Sequence, residues 1–184
     1  MLNPETAALH RLSRRGLIRR GLWGSAFLAL GGAGFLALQP TSPASVPATL
    51  VSLSPREYAV LRAIAARLVP GGGAFPGQNR VDVALRVDGI LPQVHPQTVR
   101  ELKLLLGLFE NGLGNLLLGG RPRPFTAMVA EEQDRVLGEW RDSRLTFRRS
   151  GYQGLRGLVT ATYYAAPETW AAVGYPGPPG RGAR

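Results

Sequence analysis

The stretch Leu53-Ser54-Pro55-Arg56-Glu57-Tyr58-Ala59-Val60-Leu61-Arg62-Ala63-Ile64-Ala65-Ala66-Arg67-Leu68 decides the fold. Ser54 is placed to accept the free N–H groups of a helix start, and Pro55 suits the first helical position. Glu57, three residues after Ser54, closes a capping box, and Leu53 with Tyr58 forms a hydrophobic staple across the entry. Leu61, Ile64, Ala65 and Leu68 then recur at helical spacing. Pro70-Gly71-Gly72-Gly73 ends the helix.

Downstream the same period repeats. Phe75-Pro76-Gly77 reads as a turn, and Asn79 reads as the cap of a second helix from Arg80 to about Leu91. Val81, Ala84, Leu85 and Asp88 share one face of it. Pro92 and Pro96 bracket a loop holding His95, and a third helix is predicted from Gln97 to Leu113, with Val99, Leu102, Leu105, Leu106, Phe109 and Leu113 inward. Gly112, Gly114, Gly119 and Gly120 break it up before an extended Arg121-Pro122-Arg123-Pro124. Thr126 is read as the cap of a fourth helix burying Val129, Val136, Leu137 and Trp140. A fifth is predicted from Arg144 to Tyr164, carrying Leu145, Phe147, Tyr152, Leu155, Leu158, Val159 and Thr162. Gly151, Gly154 and Gly157 recur on it, three apart; they either admit a close neighbouring backbone or weaken the helix. No alternating run is long enough for a sheet, so the expected fold is all-α: one small domain of about five helices over residues 49–178. From Tyr163 to Pro179 aromatics alternate with turn residues, which predicts a fixed non-helical tail that either caps its own core or lies on another protein. Residues 179–184 are expected to be a disordered end.

Ahead of the domain, residues 1–48 read as an export leader and linker. Ser13-Arg14-Arg15-Gly16-Leu17-Ile18-Arg19 resembles a bacterial twin-arginine signal: a polar residue, paired arginines, two apolar residues and a base. Ser13, Arg14, Arg15, Leu17, Ile18 and Arg19 are the residues that carry it. The apolar run Gly21–Leu38 is diluted by five glycines and is marginal as a permanent span, which needs about 20 mainly apolar residues. Val46-Pro47-Ala48 offers small residues for cleavage, with an uncleaved anchor as the alternative. Export to the bacterial periplasm follows, and the twin-arginine translocase is then an expected partner.

The chain carries a net charge of +10, shared between leader and domain. Its arginines are scattered through the domain, as on a solvated surface and unlike the dense stripe of a nucleic-acid binder. There is no cysteine, which removes disulfides, thiolate metal sites and covalent haem attachment within the chain. The two histidines, His10 and His95, stand apart from one another. Glu131, Glu132 and Asp134 fit the dipole at a helix start better than a catalytic carboxylate pair. Gly71-Gly72-Gly73 lacks the Lys-Ser/Thr of a phosphate loop. No catalytic, cofactor-binding or metal residue is assigned from the sequence; chemistry is expected in a partner.

Several pieces taken together are similar to the gluconate 2-dehydrogenase subunit 3 family. They are the leader; Leu61-x-x-Ile64-Ala65-x-x-Leu68-Val69-Pro70 with Phe75-Pro76-Gly77; Val83-x-x-Arg86-Val87-Asp88; Phe125; and Tyr163-Tyr164-x-x-Pro167-x-x-Trp170-x-x-x-Gly174-Tyr175-Pro176-Gly177-Pro178. One departure is Ala65-Ala66-Arg67, where such proteins usually carry Asp-Arg; only Arg67 survives. The resemblance implies a non-catalytic small subunit that binds a large, leaderless flavoprotein dehydrogenase of the glucose–methanol–choline (GMC) class, helps it mature and escorts it through the twin-arginine pathway. FAD would sit in that partner and none in this chain, and a multihaem cytochrome c subunit often takes the electrons onward. Tyr163, Tyr164, Trp170, Tyr175 and Pro176 are the expected residues bearing on the large subunit or on the core beneath. A free-standing exported or membrane-tethered helical module with another client is the alternative.

Overall fold

A computed structural model describes residues 49–69, 71–111 and 123–178. These form six helices, with no strand among the described residues: α1 Pro55–Leu68, α2 Val83–Ile90, α3 Pro96–Glu110, α4 Ala130–Arg141, α5 Thr146–Ala165 and a single turn, α6, Pro167–Trp170. Short 3-10 turns lie at Leu91–Gln93, Phe125–Ala127 and Ala171–Val173. The chain is all-α, as the periodicity predicts. The leader residues Ser13, Arg14, Arg15, Leu17, Ile18 and Arg19, the cleavage stretch, Leu113 with the glycines that follow it, and residues 179–184 lie outside the described residues.

α1 is the central element, packing against α2, α3, α4, α5 and the Phe125–Ala127 turn. Its capping box is complete: Ser54 accepts from the Glu57 N–H, and Glu57 accepts from the Ser54 N–H at 2.7 Å. Leu61, Ile64 and Ala65 are wholly buried, and both staple residues, Leu53 and Tyr58, are in the core. Burying a Leu or Ile side chain contributes about 1.5–3 kcal/mol, so this one stripe supplies a large share of the net stability.

The residue that fixes how the chain enters α1 is Asp88. It is 1% exposed, and its carboxylate accepts the backbone N–H groups of Val51, Ser52 and Leu53 at 2.6, 2.9 and 2.6 Å. Burial works against its charge, but the three N–H bonds together outweigh burial and, with the Lys103 charge, hold its pKa below the usual carboxylate value. Lys103 Nζ donates to the Ser52 carbonyl and pairs with Glu57 at 3.5 Å, so the same node engages α1, α2 and α3.

Several sequence-based expectations are corrected. The second helix starts at Val83 and is capped by Asp82, which accepts from the Leu85 N–H; Asn79 does not cap it. The N–H groups of Arg80 and Val81 go to the Gly77 carbonyl, and this turn carries Val81 into the core before the helix begins. Leu85 is 37% exposed. His95 caps α3, its Nδ1 accepting from the Gln97 N–H. Thr126 caps nothing: its hydroxyl donates to the buried Glu110 carboxylate at 2.6 Å, and α4 starts at Ala130 with Val129 outside the core. On α5 the buried stripe is Arg148-Tyr152-Leu155-Val159-Tyr163, so Leu145 and Phe147 fall off that face and are exposed.

Of the three spaced glycines only Gly151 meets a neighbour. A Cβ there would lie 2.9 Å from Leu105 Cδ1 and 3.2 Å from the Trp140 ring, whereas Gly154 and Gly157 face open space. Gly154→Ala and Gly157→Ala should therefore each raise stability by up to about 1 kcal/mol from helix propensity. Gly151→Ala should gain less or lose, and urea midpoints of the three variants decide it.

Asp88→Asn should cost about 1–3 kcal/mol in urea unfolding. The pH dependence has a definite sign. Because the folded carboxyl ionises below its ordinary value, its contribution is complete above the unfolded value of about 3.9 and is lost as pH falls through the lower folded value. The stability gap between the native chain and the Asn variant should thus close on acidification below about pH 4; a gap that stays constant would contradict it.

Candidate functional site

The C-terminal tail is built on the end of α5. Pro167 suits the first position of α6, and Thr169, wholly buried, donates its hydroxyl to the Ala166 carbonyl at 2.8 Å. The Ala171–Val173 turn follows, closed by Gly174 in the left-handed region at φ 68°. The expected non-helical path is therefore corrected: up to Val173 the tail is helical turn, because Pro167 and Thr169 organise a new helix start immediately after α5.

Beyond Gly174 the chain doubles back. The Tyr175 N–H donates to the Trp170 carbonyl at 2.9 Å, and the two rings meet edge to face at 5.4 Å. Gly177 has φ 106°, and a Cβ there would sit 3.1 Å from the Trp170 ring, so both its conformation and the close approach require glycine. Arg86 on α2 pairs with Glu168 on α6 at 2.7 Å, tying the tail to the body; at about 40% exposure on each side this ion pair orients more than it stabilises.

The predicted tail residues separate into two roles. Tyr163 is wholly buried, and its hydroxyl donates to the Pro76 carbonyl at 2.8 Å. Burial raises its pKa, with a smaller contribution from Tyr164. Of the two placements expected for Tyr163, the structure gives the core: it is a strut at the last position of the buried α5 stripe. Tyr164 and Tyr175 are 39% and 45% exposed, Pro176 is exposed, and Trp170 is half-buried. Val173, not singled out in the sequence, is 47% exposed beside them in the chain. The structure thus gathers Trp170, Tyr175 and Pro176 into one aromatic turn and places Tyr164 at the end of α5, its ring edge to face with that of Tyr163 at 5.2 Å.

The other shared motifs prove to be internal fastenings. Arg67 donates through Nε and Nη2 to Asp134 on α4 at 2.8 and 2.9 Å, which lowers the Asp134 pKa and raises that of Arg67. Phe125 packs edge to face on Phe109, which stacks on Trp140 at 4.3 Å. Tyr58 donates to Asp82 at 2.5 Å; burial first, then that bond, pushes its pKa up to about 12. Among the described residues no cluster of three His, Cys, Asp or Glu could hold a metal ion, and no helix is long and apolar enough to cross a membrane. Sequence reasoning missed Arg86 with Glu168 and the Asp88 node; a charged pair two residues apart on an apolar helix was the available signal.

Residues 55–177 match the family described as gluconate 2-dehydrogenase subunit 3, and the chain belongs to that family. No curated protein and no solved structure matches it significantly.

Tyr163→Phe leaves the buried Pro76 carbonyl without its donor and should cost about 1–3 kcal/mol. Unfolding of the purified variant checks it, and an unchanged midpoint would remove Tyr163 from the strut role.

Proposed function

We propose that this chain is the non-catalytic small subunit of a flavin-dependent sugar or alcohol dehydrogenase. In this reading it binds a leaderless, GMC-type large subunit that holds the FAD, helps it mature, and escorts it through the twin-arginine translocase to the periplasm. Membrane association comes through the complex or an uncleaved leader, and a multihaem cytochrome c subunit receives the electrons. The family's description supports association with other dehydrogenase subunits, and the twin arginines at Arg14 and Arg15 support the route.

The observation that carries the docking role is the half-exposed Trp170–Tyr175 turn with Pro176 beside it. Exposed aromatics cost little conformational entropy on binding and provide large contact area, and here the turn is already set by Gly174, Gly177 and the Arg86–Glu168 pair.

Full-length tagged chain, co-expressed with the large subunit, should co-purify with it near one to one, with flavin absorbance. Tyr175→Ala should lower that yield several-fold while leaving the chain folded. Arg14→Lys with Arg15→Lys should strand both proteins in the cytoplasm. Chain recovered alone, without flavin, would contradict the proposal.

A further inference from the structure

At the other end of α5 lies a feature that neither the fold nor the tail accounts for. Arg148 occupies the first position of the buried α5 stripe, is nine-tenths buried, and has a buried Nε with no hydrogen-bond partner. Its guanidinium lies 5.3 Å from the centre of the Trp140 ring, and Glu139 is the acidic group whose charge it feels; burial lowers its pKa against that pull. A guanidinium with one buried N–H left unsatisfied is costly to a free chain, and an acceptor that reaches the group on binding would offset that cost.

The surroundings are those of a contact surface. Leu145 and Phe147 flank the site and are 47% and 49% exposed. Phe147 is not loose: its ring meets Trp140 edge to face at 6.2 Å, which presets it as an anchor. Between residues 139 and 149 stand four arginines, Arg141, Arg144, Arg148 and Arg149, against Glu139 and Asp142. Asp142 is already held bidentately by Arg141, at 2.9 and 2.8 Å. The corner thus presents an apolar pair in a cationic rim.

We infer that the α4–α5 corner is a second docking surface for the large subunit, taking an acidic segment whose apolar side chain seats on Phe147 and Leu145 and whose carboxylate accepts from Arg148. The inference rests on the subunit reading given above. Charge complementarity selects an acidic occupant, and the buried, ring-stacked Arg148 selects one fixed carboxylate over a diffuse anionic surface such as a membrane, which exposed flexible arginines would meet equally well. The corner lies about 26 Å from Tyr164 along α5, at 1.5 Å per residue, so the two surfaces can be altered separately.

The test measures the affinity of the full chain for the purified large subunit at about 50 and about 300 mM NaCl, together with the thermal midpoint of each free variant. Arg148→Met should raise the midpoint of the free chain, since it removes a desolvated cation, yet weaken binding about tenfold and flatten the salt dependence. Phe147→Ser, at an exposed site, should weaken binding about tenfold with little change in midpoint, and it carries the test should Arg148→Met fail to fold. Binding within twofold of the native chain in Phe147→Ser, or an Arg148→Met that melts lower and binds normally, would overturn the inference. So would vesicles of anionic lipid that lose binding to Phe147→Ser while the large subunit does not. A native chain that does not bind the large subunit at all would sink the subunit reading and this inference with it; a native chain that binds, with only the corner variants unaffected, would sink this inference alone.

Discussion

One carboxylate sets the frame. Asp88 gathers three consecutive backbone N–H groups from the segment that leads into α1, and Lys103 holds the carbonyl side of the same segment. A buried charge survives only where bonds of this kind replace its lost hydration. The pairing fixes the angle at which the chain enters the central helix, and every other helix of the body packs against α1. From there the dependence runs outward. α1 positions α2, α2 offers Arg86 to Glu168, and that pair orients the aromatic tail.

The motifs shared with the family divide along this line. Arg67, Arg86, Asp88, Phe125 and Tyr163 face inward or bind other parts of the chain, and their work is to hold the body. Trp170 does both: it packs against Gly177 and Tyr175 and remains half-exposed. A pattern that specific is therefore mostly the signature of a scaffold, with a narrow strip of it turned toward solvent. That suits a protein whose contribution is a surface of fixed shape.

The sequence made the helices legible where local chemistry is self-sufficient. Ser54, Pro55 and Glu57 settle the start of α1 without help from the rest of the chain, and the structure keeps that cap. It was less legible where a side chain had two possible clients. Thr126 could cap α4 or serve Glu110, and only the fold places that carboxylate beside it. Asn79 reads as the cap, but the turn closed on the Gly77 carbonyl delays the helix start to Val83, where Asp82 caps it. On α5 nothing in the charge of Arg148 marked it as an inner residue, yet the spacing from Tyr152 and Leu155 puts it inward. For the tail, aromatic content alone could not separate Tyr163, which finishes the α5 stripe, from Tyr164, one residue on and turned to solvent.

The central claim is that the tail's outward aromatic turn is where a large flavoprotein docks. Amide hydrogen exchange on the full chain, free and in complex with that subunit, reads this directly. The account predicts that protection gained on binding is strong from Ala171 to Tyr175 while the buried α1 amides change little. A complex that forms without added protection in that turn would contradict it.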